Sequence, residues 1–331
     1  MAAREKKHIA IKDFKTGDKI TDFFMLRKKE LKTKKDGTPY ISLELGDATG
    51  RIQAACWDHV KTVYDQLSRS KPVKVQGTVI EYHESLQLSI EKIRAATAAD
   101  KIDNKDFLPR THMNIEDMRR HLKEIIDSVS NPYLYGLLTK TWMTKPSYEQ
   151  FGEAPGGKLW HHAFLGGLIE HTIAVATICE HMTNLYPDLN RDLLICGAIL
   201  HDLGKVETYV YEQGWIDFSD RGRLLGHIAI GAQRVQSMID EFRQQEEFPK
   251  PLEDALLHLI LSHQGTQEHG SPVVPMTREA MLLYYADEMD SKLNAIKHVI
   301  ERDTDHERQW SRYVPPLDRF IYLDNEPTTL E

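Results

Sequence analysis

The sequence AILHDLGK at residues 198–205 ends an apolar run that begins at Leu193. A continuous apolar run of this length predicts a buried helix, and it places His201 and Asp202 side by side at the helix end. Divalent metals accept such a mixture of imidazole and carboxylate donors. A glycine then permits a turn, and Lys205 adds a cation that can neutralise a phosphate. The stretch therefore predicts a metal site on a helical scaffold, with Asp202 and Lys205 as candidate catalytic residues.

Further candidate metal ligands lie in helical apolar patterns on either side of this pair: His171, His227, His263 and Asp287. All six candidates carry nitrogen or oxygen donors and none carries sulfur, which favours Mn, Mg, Fe, Co or Ni over a structural zinc site. Asp202 has two oxygens and is the natural bridging ligand, so the set can hold one or two ions. Considered alone, a His-Asp pair is more often a helix-end histidine held by its neighbour. His227 and His263 have the same alternative, as core histidines.

Length and composition are those of a soluble protein with two domains. The chain has 331 residues, of which 41% are hydrophobic and 28% charged, so each domain can form its own core. No apolar run approaches the roughly 20 residues of a membrane span, and the first residues lack the apolar core of a signal peptide. Cys56, Cys179 and Cys196 are too few and too scattered for a disulfide framework. We expect a cytoplasmic protein with no membrane partner.

The formal net charge of −8 by itself argues against a nucleic-acid-binding protein, but the charge is unevenly distributed. Residues 1–99 contain 19 Lys and Arg against 13 Asp and Glu, whereas the remainder contains 23 against 37. The first part therefore carries +6 and the second −14. This distribution indicates a basic module joined to an acidic module that holds the metal site.

The N-terminal part shows alternating strand patterns separated by turn signals. The predicted strands cover residues 19–26, 40–45, 51–57, 73–80 and 86–90, with a helix at 60–67. Five strands with a helix between the third and the fourth is the order of an OB-fold. We predict a multidomain protein with an N-terminal all-β OB-fold barrel and a C-terminal all-α domain. The predicted limits are 8–97 for the barrel, 98–113 for a linker, 114–300 for the helical domain and 301–331 for a tail.

Cations and aromatic residues of the first module are candidates for contacts with a single strand, since cations bind phosphates and flat rings stack on bases. The candidate cations are Lys28, Lys29, Lys32, Lys34 and Lys35, next to Arg27. The candidate stacking residues are Phe24, Tyr40 and Trp57, with Tyr82 as a further aromatic. Arg223 in the helical part is a further candidate for a phosphate contact, or equally a surface residue. The alternative is that the aromatic residues fill the barrel and the lysines only solvate a turn.

Specific motifs carry a family resemblance over nearly the full length. They are HAFLGGLIEHT at 162–172, LHDLGK at 200–205, LLGHI at 224–228, SHQG at 262–265, GSP at 270–272 and DEMDSK at 287–292. The first module resembles OB-fold modules of the tRNA-anticodon-binding type, and residues 150 to 300 resemble the HD phosphohydrolase superfamily. Taken whole, the chain is similar to the YhaM-type 3′→5′ exoribonucleases. It departs from their pattern at Gln264, where a second histidine is expected, and this puts the strength of the second metal site in question.

The resemblance implies a hydrolase that cleaves phosphodiester bonds of single-stranded RNA, or DNA, from a free 3′ end and releases mononucleotides. It also implies dependence on a divalent metal, with Mn first among the candidates, and by analogy a homo-oligomer. Two other functions stay open. One is an HD-type nucleotide or cyclic-dinucleotide phosphohydrolase, although the chain lacks the Gly-Tyr-Pro signature of the cyclic-dinucleotide branch. The other is a non-catalytic protein that binds single-stranded nucleic acid.

Overall fold

The computed structural model describes residues 9–83, 85–302 and 308–323. The chain divides into two compact units. The first comprises residues up to 110 together with 210–217, and the second comprises residues 111–209 and those from 218 onward. No helix of the described residues is long and apolar enough to cross a membrane.

The first unit is a closed five-stranded barrel in the order β1-β2-β3-β5-β4. Its strands are β1 (Lys19–Thr33), β2 (Pro39–Gly46), β3 (Arg51–Cys56), β4 (Pro72–Tyr82) and β5 (Ser85–Ala95), and helix α1 (Val60–Gln66) joins β3 to β4. β1 pairs antiparallel with both β2 and β4, and a parallel pairing of β3 with β5 closes the barrel. The predicted OB-fold order, with its helix between the third and fourth strands, is therefore confirmed.

Alternation along the strands builds the barrel core, because successive side chains of a strand point to opposite faces. In β2, Ile41, Leu43 and Leu45 are buried, whereas the residues between them are partly exposed. The register of β4 against β5 shifts at Gly77. A Cβ atom at Gly77 would lie 2.3 Å from the carbonyl oxygen of Ser89, so this approach of the two strands requires glycine.

The second unit is helical, as predicted. Its helices are α2 (Ile115–Asp127), α3 (Pro132–Gly136), a π-helical turn (Leu137–Trp142), α4 (Pro146–Glu153), α5 (Gly167–Leu185), α6 (Arg191–Leu200), α7 (Lys205–Thr208), α8 (Asp220–Arg243), α9 (Lys250–Ser262) and α10 (Arg278–Arg302). Two short strands, β6 (Tyr209–Val210) and β7 (Asp217–Phe218), pair with each other. Asn114 accepts hydrogen bonds from the backbone N–H groups of Glu116 and Asp117 and so begins α2.

Helix α6 lies at the centre of the helical core, since every residue from Leu193 to Leu200 is buried. A Cβ atom at Gly197 would lie 2.3 Å from Leu259 Cδ2, so α6 and α9 approach closely at this point. Helix α8 differs from expectation. The sequence pattern predicts a helix starting at His227, whereas α8 begins at Asp220 and is broken at Gly226, which has φ of 72°. Only glycine adopts this conformation without strain, and the break separates His227 from the first part of α8.

Candidate metal centre

The six candidate ligands come from five helices that meet in the core of the second unit. His171 lies in the first turns of α5, and His201 and Asp202 follow α6 directly. His227 follows the break in α8, His263 follows the end of α9, and Asp287 lies in the middle of α10. Five of the six are buried, and His227 is partly exposed. The structure therefore brings together residues that are far apart in the sequence.

Four donor atoms converge in a first donor set. His171 Nε2 lies 3.2 Å from His201 Nε2, 3.4 Å from Asp202 Oδ2 and 3.2 Å from Asp287 Oδ1. His201 Nε2 is itself 3.4 Å from Asp202 Oδ2. Two imidazole nitrogens and two carboxylate oxygens that face one another at these distances require a positive charge among them. A divalent cation or a proton on one of the imidazoles supplies it.

A second donor set uses the other oxygen of Asp202. His227 Nε2 lies 3.6 Å and His263 Nε2 lies 3.7 Å from Asp202 Oδ1. Their rings are neighbours, with centroids 5.5 Å apart. Asp202 thus presents one oxygen to each donor set, which is the arrangement expected of a ligand shared between two ions.

Buried polar atoms without partners test whether the residues fit a metal. Apart from the ion pair of Asp202 with Lys205, neither oxygen of Asp202 has a hydrogen-bond partner among the described residues. The same holds for Nε2 of His227 and of His263. Buried polar atoms are normally hydrogen-bonded or coordinate a metal, so this cluster is costly unless a cation satisfies it. Nitrogen and oxygen donors without sulfur suit Mn, Fe, Co, Ni or Mg. The clusters are therefore able to hold a divalent metal.

Contacts behind the rings fix which nitrogen faces the site. His201 Nδ1 donates to the carbonyl oxygen of Ala198 at 2.8 Å, and His263 Nδ1 donates to that of Ile260 at 2.7 Å. A carbonyl oxygen only accepts, so each ring carries its proton on Nδ1 and turns the Nε2 lone pair toward the cluster. Burial lowers the pKa of His263 to about 4. This ring is therefore neutral at pH 7, as a metal ligand must be.

Asp290 is a functional neighbour that is missing from the site predicted from the sequence. Its Oδ2 accepts from His171 Nδ1 at 2.6 Å and from His162 Nε2 at 2.9 Å. Burial alone would raise the pKa of Asp290, but its hydrogen bonds to the two histidines hold the pKa far below its usual value. Burial alone would likewise lower the pKa of His171, and its contacts with the carboxylates of Asp202, Asp287 and Asp290 raise it well above 6.5. The signal in the sequence is the spacing, since residues 287 and 290 share one face of a helix.

Gln264, the departure from the family pattern, reaches the first donor set. Its Nε2 donates to Asp287 Oδ2 at 3.2 Å, and Ser291 Oγ lies 3.2 Å from Asp287 Oδ1. Gln264 therefore orients a ligand that contacts His171, and a weakened second metal site remains a prediction.

Lys205 is buried against the shared carboxylate, with Nζ 2.6 Å from Asp202 Oδ2. Burial would lower the pKa of this amine, but the charge of Asp202 raises it, so Lys205 is a cation. Arg223 is exposed on α8, and its guanidinium lies 5.5 Å from the ring centroid of Phe218. A contact of Arg223 with a phosphate stays a prediction.

Two predicted nucleic-acid contacts in the barrel need correction. Phe24 has no exposed surface and packs edge-on against Phe14 in the barrel core, so it offers no ring face to a base. Lys29 Nζ donates to the carbonyl oxygens of Tyr64 and Leu67 at 2.7 and 2.6 Å. This lysine holds the end of α1 onto the barrel, and it is therefore not available to a phosphate.

Three other predicted residues lie together on the barrel surface. The rings of Tyr40 and Trp57 are stacked, with centroids 4.6 Å apart and an interplanar angle of 29°. Lys34 Nζ lies 4.1 Å from the centroid of the Trp57 ring, and 39% of Trp57 is exposed. We call these three residues the aromatic–lysine cluster. It combines a flat exposed ring with a cation, the two elements that bind a single strand.

The remaining predicted cations of the barrel are exposed. Lys28 and Lys32 both pair with Glu30, at 2.8 and 3.5 Å, and exposed pairs of this kind contribute little to stability. Lys35 is exposed in the turn between β1 and β2, and Tyr82 is 58% exposed at the end of β4. These side chains are accessible to a ligand.

Comparisons with known families agree with this architecture. Residues 25–96 match the model of an OB-fold nucleic acid binding domain, and residues 168–292 match the model of the HD domain. All six candidate metal ligands lie within the HD match. An HD domain indicates a metal-dependent phosphohydrolase, and the OB-fold match indicates nucleic-acid binding. The combination fits a nucleic-acid hydrolase.

Three solved structures are each similar to about a quarter of this chain. The second OB-fold domain of replication protein A from Methanococcus maripaludis is 23% identical, with a TM-score of 0.22, over 26% of this chain and 92% of its own. PriB from Ralstonia solanacearum is 14% identical, with a TM-score of 0.23, and the match covers 24% of this chain and 98% of PriB. The mitochondrial single-stranded DNA binding protein Rim1 from S. cerevisiae is 10% identical, with a TM-score of 0.22, and the match covers 25% of this chain and 98% of Rim1. Likenesses this low identify no function.

Proposed function

We propose that this chain, which combines an OB-fold nucleic-acid-binding domain with an HD domain, is a metal-dependent 3′→5′ exonuclease. It hydrolyses phosphodiester bonds of single-stranded RNA, or DNA, and releases mononucleotides. The observation that carries the proposal is the double donor set around Asp202, in a chain that also has a strand-binding barrel. The direction of cleavage and the preference for RNA rest on the resemblance to the YhaM-type enzymes.

The chain's own residues prepare the hydrolytic site. Divalent ions bound there supply a Lewis acid for the phosphodiester and an activated water. Asp202 presents one oxygen to each donor set, and the buried rings of His201 and His263 present lone pairs from defined tautomers. We assign to Lys205 the neutralisation of charge that develops on the phosphate, since a preorganised cation in a buried site stabilises such charge.

The barrel would hold the rest of the strand. The aromatic–lysine cluster offers a stacking surface for a base, and Lys32, Lys34 and Lys35 offer cations to the phosphates between bases. Stacking and phosphate contacts tolerate any sequence, which suits an enzyme that must bind every 3′ end it meets. We therefore propose single-stranded nucleic acid as the partner of the barrel, with no preference for particular bases.

We further propose Mn as the ion, with two ions per chain. The donor set equally admits Mg, Co, Fe or Ni, and Mn follows from the family resemblance. The same resemblance leads us to propose a homo-oligomer, and the few, scattered cysteines lead us to propose a cytoplasmic location. We keep 8–97 and 114–300 as the limits of the two functional domains, with 98–113 as a linker and 301–331 as a tail.

The test compares 5′-labelled single-stranded RNA with a free or a blocked 3′ end, with and without Mn. We expect products that shorten one nucleotide at a time, that require Mn and that are absent when the 3′ end is blocked. Turnover of free nucleotides alone would indicate a nucleotide phosphohydrolase, and binding without turnover would indicate a non-catalytic binding protein. Either result would overturn the proposal.

A matched pair of histidine variants links the activity to the donor sets. His201→Ala removes a ligand of the first set, and we expect it to abolish hydrolysis while the barrel still binds the oligonucleotide. His181→Ala is the control, because this exposed histidine lies on α5 and its Nδ1 contacts the carbonyl oxygen of Thr177 on the same helix. Unchanged turnover in His201→Ala would remove the metal assignment.

A further inference from the structure

The backbone at His162 is in a conformation that the residue adopts only under constraint. Its φ is +47°, in the left-handed region, and the residue is buried with 3% of its surface exposed. Such a conformation is strained for a residue other than glycine, and it persists where surrounding contacts hold it. Here the His162 carbonyl oxygen accepts from the N–H groups of Gly156 and Phe164 at 2.9 and 2.8 Å. Its own N–H donates to Asn294 Oδ1 at 2.9 Å.

Two glycines leave room for this backbone. A Cβ atom at Gly167 would lie 2.1 Å from the carbonyl oxygen of His162. A Cβ atom at Gly156 would lie 2.7 Å from the Cβ of His162. The segment before α5 is therefore built around one placement of His162, and that placement directs its side chain toward α10.

The side chain of His162 meets the carboxylate that also holds a metal ligand. His162 Nε2 donates to Asp290 Oδ2 at 2.9 Å, and the same oxygen accepts from His171 Nδ1 at 2.6 Å. His171 Nε2 then faces Asp202 and Asp287 from the opposite side of its ring. Two imidazoles thus share one carboxylate oxygen, and it is His171 whose other nitrogen faces the first donor set.

We infer that His162 is a positioning residue, which acts through Asp290 to fix the ring of His171 as a ligand of the first donor set. A ligating histidine is oriented by the acceptor of its other N–H, and that acceptor must itself be held. Without His162, the carboxylate of Asp290 has only the hydrogen bond to His171. The carboxylate and the His171 ring can then rotate together, and the ring orientation is no longer fixed. This inference rests on the proposed metal-dependent function, but its test measures metal binding and uses no nucleic acid.

Three variants separate the side-chain role from the backbone role. His162→Asn keeps a residue that tolerates positive φ, but its shorter amide does not reach the position of Nε2. His162→Gln places an amide N–H near the position of Nε2 and should restore the bond to Asp290. Asp290→Asn removes the charged acceptor that links His162 to His171. Residue 290 lies in a regular helix, so this variant still tests the inference if a change at residue 162 prevents folding. His181→Asn is the control for replacing a histidine on the protein surface.

The full chain is titrated with Mn²⁺, and the concentration of the free ion is measured by electron paramagnetic resonance. The melting temperature of the metal-free protein is recorded in parallel. We expect His162→Asn and Asp290→Asn to weaken one of the two binding steps by about 10- to 100-fold and to leave the other step unchanged. His162→Gln and His181→Asn should bind like the wild type.

Four results would overturn the inference. One is wild-type affinity in Asp290→Asn or in a folded His162→Asn. Another is a third Mn²⁺ per chain that disappears with His162, because His162 and Asp290 would then be ligands themselves. An equal weakening of both binding steps would show a general structural effect. Absence of Mn²⁺ binding to the wild type would overturn the proposed function as well, whereas binding without RNA cleavage would overturn only the proposed function.

Discussion

Replacing Asp202 by asparagine tests the centre of the site, because this one carboxylate faces four candidate histidine ligands and Lys205. Its Oδ2 lies 3.4 Å from His171 and from His201, and its Oδ1 lies 3.6 to 3.7 Å from His227 and His263. Asp202→Asn keeps the shape of the side chain but removes its charge and one of its two oxygens. Both donor sets are therefore weakened by a single atom change.

The expected loss has two parts. Ions that stabilise charge in the transition state contribute several kcal/mol, so hydrolysis should fall at least about a thousand-fold. The fold should also weaken, because Lys205 Nζ, 2.6 Å from Asp202 Oδ2, would be a buried cation without its partner. Breaking a buried ion pair by removing one member costs about 3–5 kcal/mol. We expect that decrease in the free energy of unfolding of the metal-free protein.

A second variant separates these two effects. In Asp202→Asn with Lys205→Met, both members of the buried ion pair are replaced by neutral side chains. Most of the unfolding free energy should therefore return while hydrolysis stays absent. Urea denaturation after chelator treatment measures the first quantity, and degradation of labelled RNA with Mn measures the second. Wild-type turnover in Asp202→Asn would refute the shared-ligand role. An unchanged unfolding free energy in the same variant would refute the buried ion pair.

Three further predictions concern the barrel and the pH dependence. Trp57→Ala should weaken binding of single-stranded RNA by about 1–3 kcal/mol, as measured by fluorescence anisotropy, because a stacking ring is removed; unchanged affinity would show that the cluster does not bind bases. Replacing Lys34 and Lys35 together by methionine should reduce the slope of log affinity against log salt by roughly 0.7 for each phosphate that the lysines neutralise. Lys29→Met should leave that slope unchanged and lower barrel stability instead, since its amine is bonded to α1 and the residue after it. For pH, His263 has a folded pKa of about 4, below its ordinary value of 6.5, so the unfolded chain binds the proton first. The metal-free protein should therefore lose up to about 3 kcal/mol of unfolding free energy as pH falls from 6.5 to 4; His263→Gln should remove that part of the pH dependence.

The order of elements could be predicted, and the candidate ligands could be named, because both depend on local signals. The alternation at 40–45 specifies a strand, and the apolar run before His201 specifies a buried helix, each within a few residues. Histidines and aspartates in helical apolar patterns stand out because such residues are rarely buried without a partner. These signals need no knowledge of distant contacts.

The corrections come from contacts between residues that are far apart in sequence. Phe23 and Phe24 are adjacent, and only the register of β1 in the barrel decides that Phe24 is the buried one. Lys29 is held by carbonyl oxygens 35 and 38 positions away, which no charge pattern reveals. Asp290 meets His162 and His171 across 128 and 119 positions, and its role depends on the packing of α10 against α5. Tertiary structure supplies what local pattern cannot.

The most direct test of the metal centre is the metal content of the protein after reconstitution with Mn²⁺ and removal of loosely held ions. The two donor sets that share Asp202 predict two ions per chain in the wild type and one in His263→Gln. Full hydrolysis of RNA by a chain that retains no ion in the presence of a strong chelator would contradict the account.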